Sequence, residues 1–355
     1  MDGVSFIDLY HRRLRADRNI HSQPSENSLL ANLPEFSTSL GCSDAPFIYK
    51  GSAQTFTAPL GTKGLDHLLA VRGHAVSVIT LADGERGSTE VKYQLILRAN
   101  DKRLLTTAMI DMPDVHADGT VTKSRLTVYT PSQLLADRPD ACSRLEMTVY
   151  IPPNSKKFSL NSYIQSHVQL SKDTKINVDK LFVTLFNPSK NNIIKASQSI
   201  QAKKLALEVY EGWIVGEATV VDTLDIMTQR GSGIANVKVS AAAANHGHAE
   251  GEKVHFTTAS GSGRSDFWYT QRGLVKRPIN ARHLSSRNAE LYLHYEGSDF
   301  NGKVELESKS NAITGVLPYA KGVHEDSSWT HTAGRPNGQD RMVVESRGWV
   351  GLYFR

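Results

Sequence analysis

Leu145-Glu146-Met147-Thr148-Val149-Tyr150-Ile151 is the stretch whose reading decides the fold. Leu145, Met147, Val149 and Ile151 alternate with Glu146, Thr148 and Tyr150. Side chains repeat every second residue in a strand, so this spelling describes a strand buried on one face. The same period extends N-terminally through Ala75–Thr80, Val91–Leu97, Leu104–Ile110 and Leu126–Thr130. Asp83-Gly84-Glu85-Arg86-Gly87 joins the first two as a hairpin signal. Helical spacing is confined to short pieces around Leu65–Val71 and Pro131–Ala136.

Pro152-Pro153 follows the opening stretch and ends its strand, since neither residue can donate to a ladder. The pair marks either a domain boundary or a turn inside one continuous sheet. Three parts follow: an irregular N-terminal arm over 1–60, a β-sandwich-like portion over 61–153, and a strand-repeat portion over 154–355. In the arm, Ser22, Pro24, Ser25, Asn27, Pro34, Ser37, Ser39 and Gly41 interrupt any long element. The run Leu181–Phe186 is apolar on both strand faces and reads as a fully covered central strand.

Beyond residue 178 a strand-like run repeatedly meets a glycine and then another apolar residue. Leu205–Gly212 precedes Trp213-Ile214-Val215, Leu224–Gly231 precedes Ile234, and Val254–Gly261 precedes Ser262-Gly263. Glu290–Gly297 and Arg341–Gly348 repeat the form. Five positions before each glycine stand Leu207, Ile226, Phe256, Tyr292 and Val343, all apolar or aromatic. One strand pair per unit, each packed on the next, predicts an all-β chain ending in a solenoid-like stack. The uneven glycine spacing assigns Ala241–Gly251, Gly263–Arg287 and Thr314–Arg335 to inserted loops.

These units, and the ending Asp340-Arg341-Met342-Val343-Val344-Glu345-Ser346-Arg347-Gly348-Trp349-Val350-Gly351-Leu352-Tyr353-Phe354, resemble the "putative-adhesin" strand-repeat family, adhesin-like proteins of fungi. The resemblance covers residues 145–355. It implies an all-β, solenoid-like stack without established enzymatic activity, and it brings no catalytic residues.

Composition sets the outer limits. The chain has 355 residues, about two domains by length, with 39% hydrophobic and 22% charged residues. Those fractions belong to a folded globular protein. Lys plus Arg is 41 against 36 for Asp plus Glu, a net charge of +5. Cys42 and Cys142 are too few for a disulfide framework or a Cys-rich zinc module, and as free thiols they suit a reducing compartment. No apolar run approaches the ~20 residues of a membrane span. The N-terminus lacks a basic segment followed by an apolar one, so an intracellular chain, or one without its targeting segment, is expected.

Lys172, Lys175, Lys180, Lys190, Lys195, Lys203 and Lys204 stand against Asp173 and Asp179. They either form one anion-binding face or guard exposed strand edges. Without an RNP-like motif or a helix-turn-helix pattern, nucleic acid is not expected as a partner.

Catalytic spellings are missing: there is no Gly-x-Ser-x-Gly elbow and no phosphate loop. No cofactor is called for. His246 and His248 would share one strand face, and with Glu250 they could hold zinc; a small polar loop of solvated histidines is the alternative. Asp111, Asp114, His116 and Asp118 approach a calcium cluster but lack EF-hand spacing and read as a turn. Trp213, Trp329 and Trp349 lie near glycine turns or long insertions. The densest lead is Phe267-Trp268-Tyr269 between Arg264 and Arg272, a platform able to grip a sugar ring or a protein surface. The expected function is a non-enzymatic binding or adhesion module with a glycan or protein partner. The alternative is a β-helix-type polysaccharide lyase or glycoside hydrolase with converging acids in a groove.

Overall fold

The computed structural model describes residues 30–131, 138, 140–171, 174–228, 230–243, 252–271, 276–320 and 328–354. Contacts divide the chain after Glu35. In the first unit, residues 30–35 close a turn with Leu33 N–H donating to Leu30 O at 3.0 Å. All strands among the described residues lie in the second unit.

The second unit is nearly all β. Its first strands are β1 (Phe47–Ile48), β2 (Gln54–Pro59), β3 (Asp66–Gly73), β4 (Val76–Asp83) and β5 (Glu90–Ala99). After α1 (Lys102–Thr106) come β6 (Met109–Asp111), β7 (Arg125–Thr130) and β8 (Ser143–Ile151). Next come β9 (Lys157–Ser162), β10 (Ser166–Leu170), β11 (Ile176–Leu185), β12 (Ile193–Ala196), β13 (Ile200–Val209) and β14 (Trp213–Val220). Then come β15 (Thr223–Met227), β16 (Ile234–Ala241), β17 (Val254–Ser260), β18 (Ser265–Gln271), β19 (Ile279–Ser285) and β20 (Glu290–Gly297). The last are β21 (Gly302–Thr314), β22 (Leu317–Pro318), β23 (His331–Ala333) and β24 (Asp340–Tyr353).

From β9 to β20 every second strand pairs in parallel. β3, β9, β11, β13, β15, β17 and β19 form one ladder. β4, β10, β12, β14, β16, β18 and β20 form the other. β24 is long enough to serve both, meeting β19 with residues 280–285 opposite 341–346 and β20 with 290–294 opposite 349–353. This joins the ladders into one hydrogen-bonded sheet of 24 strands that does not close. The strands expected in a sandwich-like portion belong to this same sheet, and β3–β9 and β4–β10 pair across Pro152-Pro153.

One core cluster draws on both ladders. Phe158, Leu181, Leu205, Leu224 and Phe256 stack rung upon rung in register. Stacked apolar positions in successive strands bury each other without long-range loops, which is why period-two spelling suffices to build this core.

Several expectations are corrected. β4 and β5 do not form a hairpin; β8 lies between them, parallel to β4 and antiparallel to β5. Gly84 sits tightly at this crossing, its N–H donating to Ile151 O at 2.8 Å. Leu104 and Leu105 are both buried within α1 rather than alternating in a strand, and the Asp101 carboxylate caps that turn through Arg103 N at 2.9 Å. Within Leu65–Val71, residues 66–71 belong to strand β3; the burial of Ala70 as well as Leu69 and Val71 hides its period of two. Pro131–Ala136 falls largely outside the described residues. β11 is flanked by β9 and β13, yet Phe182, Thr184 and Phe186 stay half-buried, so the run is covered on one face only. Gln54–Pro59, inside the segment expected to be irregular, is a strand paired with β5.

The glycine-aligned repeat is also out of register. Leu207 does face Ile226, but Ile226 faces Thr258 rather than Phe256, and Val343 points away from the core. Gly263–Arg287 is no inserted loop, since it contains β18 and β19. The turns themselves stack closely: a Cβ on Gly263 would meet Gly233 O at 2.2 Å. Gly263→Ala is therefore expected to cost about 1–3 kcal/mol by overpacking backbone against backbone, read as a lower urea midpoint; an unchanged midpoint would refute the close approach.

Cys42 and Cys142 are joined in a disulfide and not free as expected, with their Cα atoms 6.0 Å apart and 100 residues between them in sequence. The reason is spatial. Buried Arg144 donates to Ser37 O at 2.9 Å and Gly41 O at 3.0 Å, holding the arm beside the start of β8.

Candidate functional site

β18 alternates across its two faces. Phe267 and Tyr269 are each 1% exposed and sit in the core, whereas Asp266, Trp268 and Thr270 point outward. The expected platform therefore splits: Arg264 and Trp268 share the outer face, and Phe267 and Tyr269 are core residues. Arg272 lies outside the described residues, as do His246, His248 and Glu250. Among the described residues no group of three or more His, Cys, Asp or Glu could hold a metal ion.

Register supplies partners that are remote in sequence. Asp266, Tyr292 and Gly351 are neighbours on adjacent strands, as are Trp268, His294 and Tyr353. Trp268 stacks on His294 with centroids 5.0 Å apart and planes 5° apart, and His294 stacks on Tyr353 at 4.9 Å. Tyr292 packs on Trp349 at 4.6 Å. A Cβ on Gly351 would meet the Trp349 ring at 2.5 Å and the Tyr353 hydroxyl at 2.7 Å, so the missing side chain lets both rings close over the strand.

The buried Asp266 carboxylate accepts two bonds from Arg264, Nε at 2.9 Å and Nη2 at 3.0 Å. This fork fixes the guanidinium, whose Cζ lies 4.1 Å from the Tyr292 ring centroid. Burial pushes the Tyr292 and Tyr353 phenols above their ordinary range, so both remain protonated donors. The result is a rigid patch of Trp268, His294, Tyr353, Tyr292, Trp349 and Arg264. It can offer ring surface for apolar C–H faces and fixed donors for hydroxyl or carboxylate oxygens.

Sequence reasoning missed Tyr292, His294 and Tyr353. Their signal is the outward spelling Tyr292-x-His294 and Trp349-x-Gly351-x-Tyr353, which becomes meaningful only when the strands are set in register. Among the other tryptophans, Trp213 is buried and Trp329 lies 5.9 Å from the Arg341 guanidinium. Asp111 ends strand β6, and a turn forms at Ala117-Asp118, where the Asp118 carboxylate accepts from Thr120 N at 2.9 Å and Thr120 Oγ1 at 2.7 Å.

A second feature is a groove of about 360 Å³ lined by Ser260, Ser285, Ser346, Arg347, Glu307 and Glu345 among others. Glu307 and Glu345 face each other on adjacent strands, and Arg282 Nη2 lies 3.2 Å from Glu345 Oε1.

No protein-family model matches the chain, and no curated protein matches it. Solved structures do. A protein of Parabacteroides distasonis ATCC 8503 named "putative lipid binding protein" is 12% identical over 85% of this chain and 97% of its own, with a TM-score of 0.41. A "putative adhesin" of Bacteroides fragilis NCTC 9343 is 10% identical over 85% and 96%, at 0.36. Another, of Parabacteroides merdae ATCC 43184, is 14% identical over 85% and 96%, also at 0.36. Two of these three bacterial structures are named as adhesins, and none of the three is fungal.

Proposed function

We propose that the protein is a non-enzymatic binding module that grips carbohydrate with the outer face of β18, β20 and β24. The observation that carries this reading is the Trp268–His294–Tyr353 stack beside the Arg264–Asp266 fork. Sugar rings pair flat C–H faces with hydroxyls, and this patch pairs ring surface with anchored donors. Successive strand pairs are read as coils of a solenoid-like stack, a reading supported by the pairing of alternate strands. Such a stack brings residues of β18, β20 and β24 side by side although they are distant in sequence. Among the described residues no helix is long and apolar enough to cross a membrane. The Cys42–Cys142 bond supports a working place in an oxidising compartment.

The test is a broad glycan array followed by titration of any ligand found. Trp268→Ala is expected to remove about 0.5–1.5 kcal/mol of stability, the worth of an aromatic pair on a half-buried face. The same change is expected to weaken glycan binding about tenfold or more. No glycan bound at millimolar concentration would remove the carbohydrate reading and leave a protein surface as the partner.

The groove with Glu307 beside Glu345 favours a second reading, a polysaccharide lyase or glycoside hydrolase. Release of reducing ends from a polysaccharide, abolished by Glu307→Gln and Glu345→Gln, would establish it. No release from a panel of neutral and acidic polysaccharides would dismiss it.

A further inference from the structure

A different face of the sheet repeats one chemical pattern in three successive ladder strands. β9 begins at Lys157 and is followed by Tyr163, β11 carries Lys180 before Phe186, and β13 carries Lys204 before Tyr210. In each strand the cation and the aromatic are six residues apart, so both point outward from the same face.

Register turns these into two parallel rows. Lys157, Lys180 and Lys204 stand opposite one another on adjacent strands. Tyr163 and Phe186 stack at 4.7 Å with planes 6° apart, and Phe186 meets Tyr210 edge-on at 5.4 Å. Arg72 lies 4.5 Å over the Tyr163 ring and faces Tyr129 on β7, which lengthens the aromatic row by two strands. Between the rows lie Ser159, Asn161, Phe182, Thr184, Ala206 and Glu208, all half-buried, with Glu208 ion-paired to Arg230 at 3.2 Å.

Like charges on adjacent strands repel, so a lysine row carries a cost unless something neutralises it. One row further out the chain neutralises itself: Asp179 takes Lys156 at 3.4 Å and Lys203 at 2.9 Å. The inner row is treated differently. Lys204 reaches Asp225 at 3.2 Å, while Lys157, Lys180 and Arg72 make no ion pair among the described residues. Lys157 instead lies over the Phe182 ring at 5.4 Å. Asp66 stands at the far end of the row, opposite Lys157.

We propose that the outward face of β9, β11 and β13 binds an extended acidic polysaccharide laid across the strands, with its carboxylates on the lysine row and its sugar rings along the aromatic row. Strands repeat every ~4.8 Å, so the face offers a cation or a ring at each step along such a chain. Carboxylates suit the unpaired ammonium and guanidinium groups. Ring hydroxyls suit Ser159, Asn161, Thr184 and the phenols of Tyr163 and Tyr210. Duplex DNA, with one charge per ~1.7 Å, would need a far denser basic surface than three unpaired cations. This site shares no residue with the patch on β18, β20 and β24 and does not depend on it.

Polygalacturonate titrated against the full chain tests the proposal, with dextran and duplex DNA alongside. Polygalacturonate is expected to bind, to weaken as salt rises, and to bind about tenfold less tightly to a Lys157→Gln/Lys180→Gln double variant whose thermal midpoint is unchanged. Tyr163→Ala/Phe186→Ala is expected to weaken it as well, and Trp268→Ala to leave it intact. Equal binding of dextran, tighter binding of DNA, an unaffected lysine variant, or loss of polygalacturonate binding in Trp268→Ala would each overturn the assignment.

Discussion

Stability is expected to fall by roughly 3 kcal/mol between pH 6.5 and pH 5 through two histidines alone, sealed neutral inside the sheet. His67 is 2% exposed and His283 is 0% exposed. Burial depresses each from the ordinary 6.5 to about 3. Below pH 6.5 the unfolded chain takes up protons that the folded chain refuses until about pH 3. The unfolded state therefore binds more protons across this window, and stability drops as pH falls, by about 1.4 kcal/mol per unit for each group. Above about pH 7.5 these two groups contribute almost no slope.

Hydrogen bonds explain why both rings are kept neutral. Ser124 Oγ donates to Pro59 O at 2.5 Å, so it accepts from His67 Nδ1, and His67 Nε2 then accepts from the Tyr93 hydroxyl at 2.5 Å. His283 lies likewise between Thr258 Oγ1 and the Tyr295 hydroxyl, each at 2.8 Å. A second proton would leave two donors facing each other in a low-dielectric core. Urea unfolding at a series of pH values checks this; equal stability at pH 7 and pH 5 would contradict it. A His283→Gln variant, even if less stable, is expected to lose about a third of the slope, because His67 and His167, the latter lowered by burial to about 4, keep theirs.

Loss of the Cys42–Cys142 bond is expected to cost about 4–5 kcal/mol in the chain-entropy account, because it closes a loop spanning 100 residues. Cys142→Ser, or reduction under native conditions, should lower the urea midpoint accordingly. The arm from Phe36 to Cys42 would keep its bonds to Arg144, so the loss should come mainly from the freed unfolded chain rather than from local rearrangement. Thiol labelling distinguishes the outcomes: two reactive thiols in the unreduced native protein would show that no such bond exists.

Strand content was legible because it rests on a local signal. The alternation of Leu145, Met147, Val149 and Ile151 survives as a buried face of β8, and Leu205–Val209 survives in β13. Two segments misread in sequence show where local signals fail. In β3 a partly covered outer face buries consecutive residues and mimics a helix. In Leu104-Leu105 a capped turn buries both neighbours, which alternation does not anticipate.

The candidate site was half legible. Arg264 and Trp268 stood out as an aromatic beside a cation, and both face outward. Phe267 and Tyr269, their immediate neighbours, do not, because successive side chains in a strand leave on opposite faces. A dense aromatic spelling was read as one surface when it is two.

What the amino-acid order determined by itself was periodicity: which residues face the core, where strands stop, and that the chain is built from β-structure. Those properties depend on neighbours one or two positions away. Only the tertiary structure decided partnership. It inserted β8 between β4 and β5, brought Cys42 to Cys142, set Trp268 on His294 and His294 on Tyr353, and aligned Lys157 with Lys180 and Lys204. Parallel pairing of alternate strands makes each contact depend on the lengths of the intervening turns, and a shift of one residue in any of them would turn a whole row to the other face.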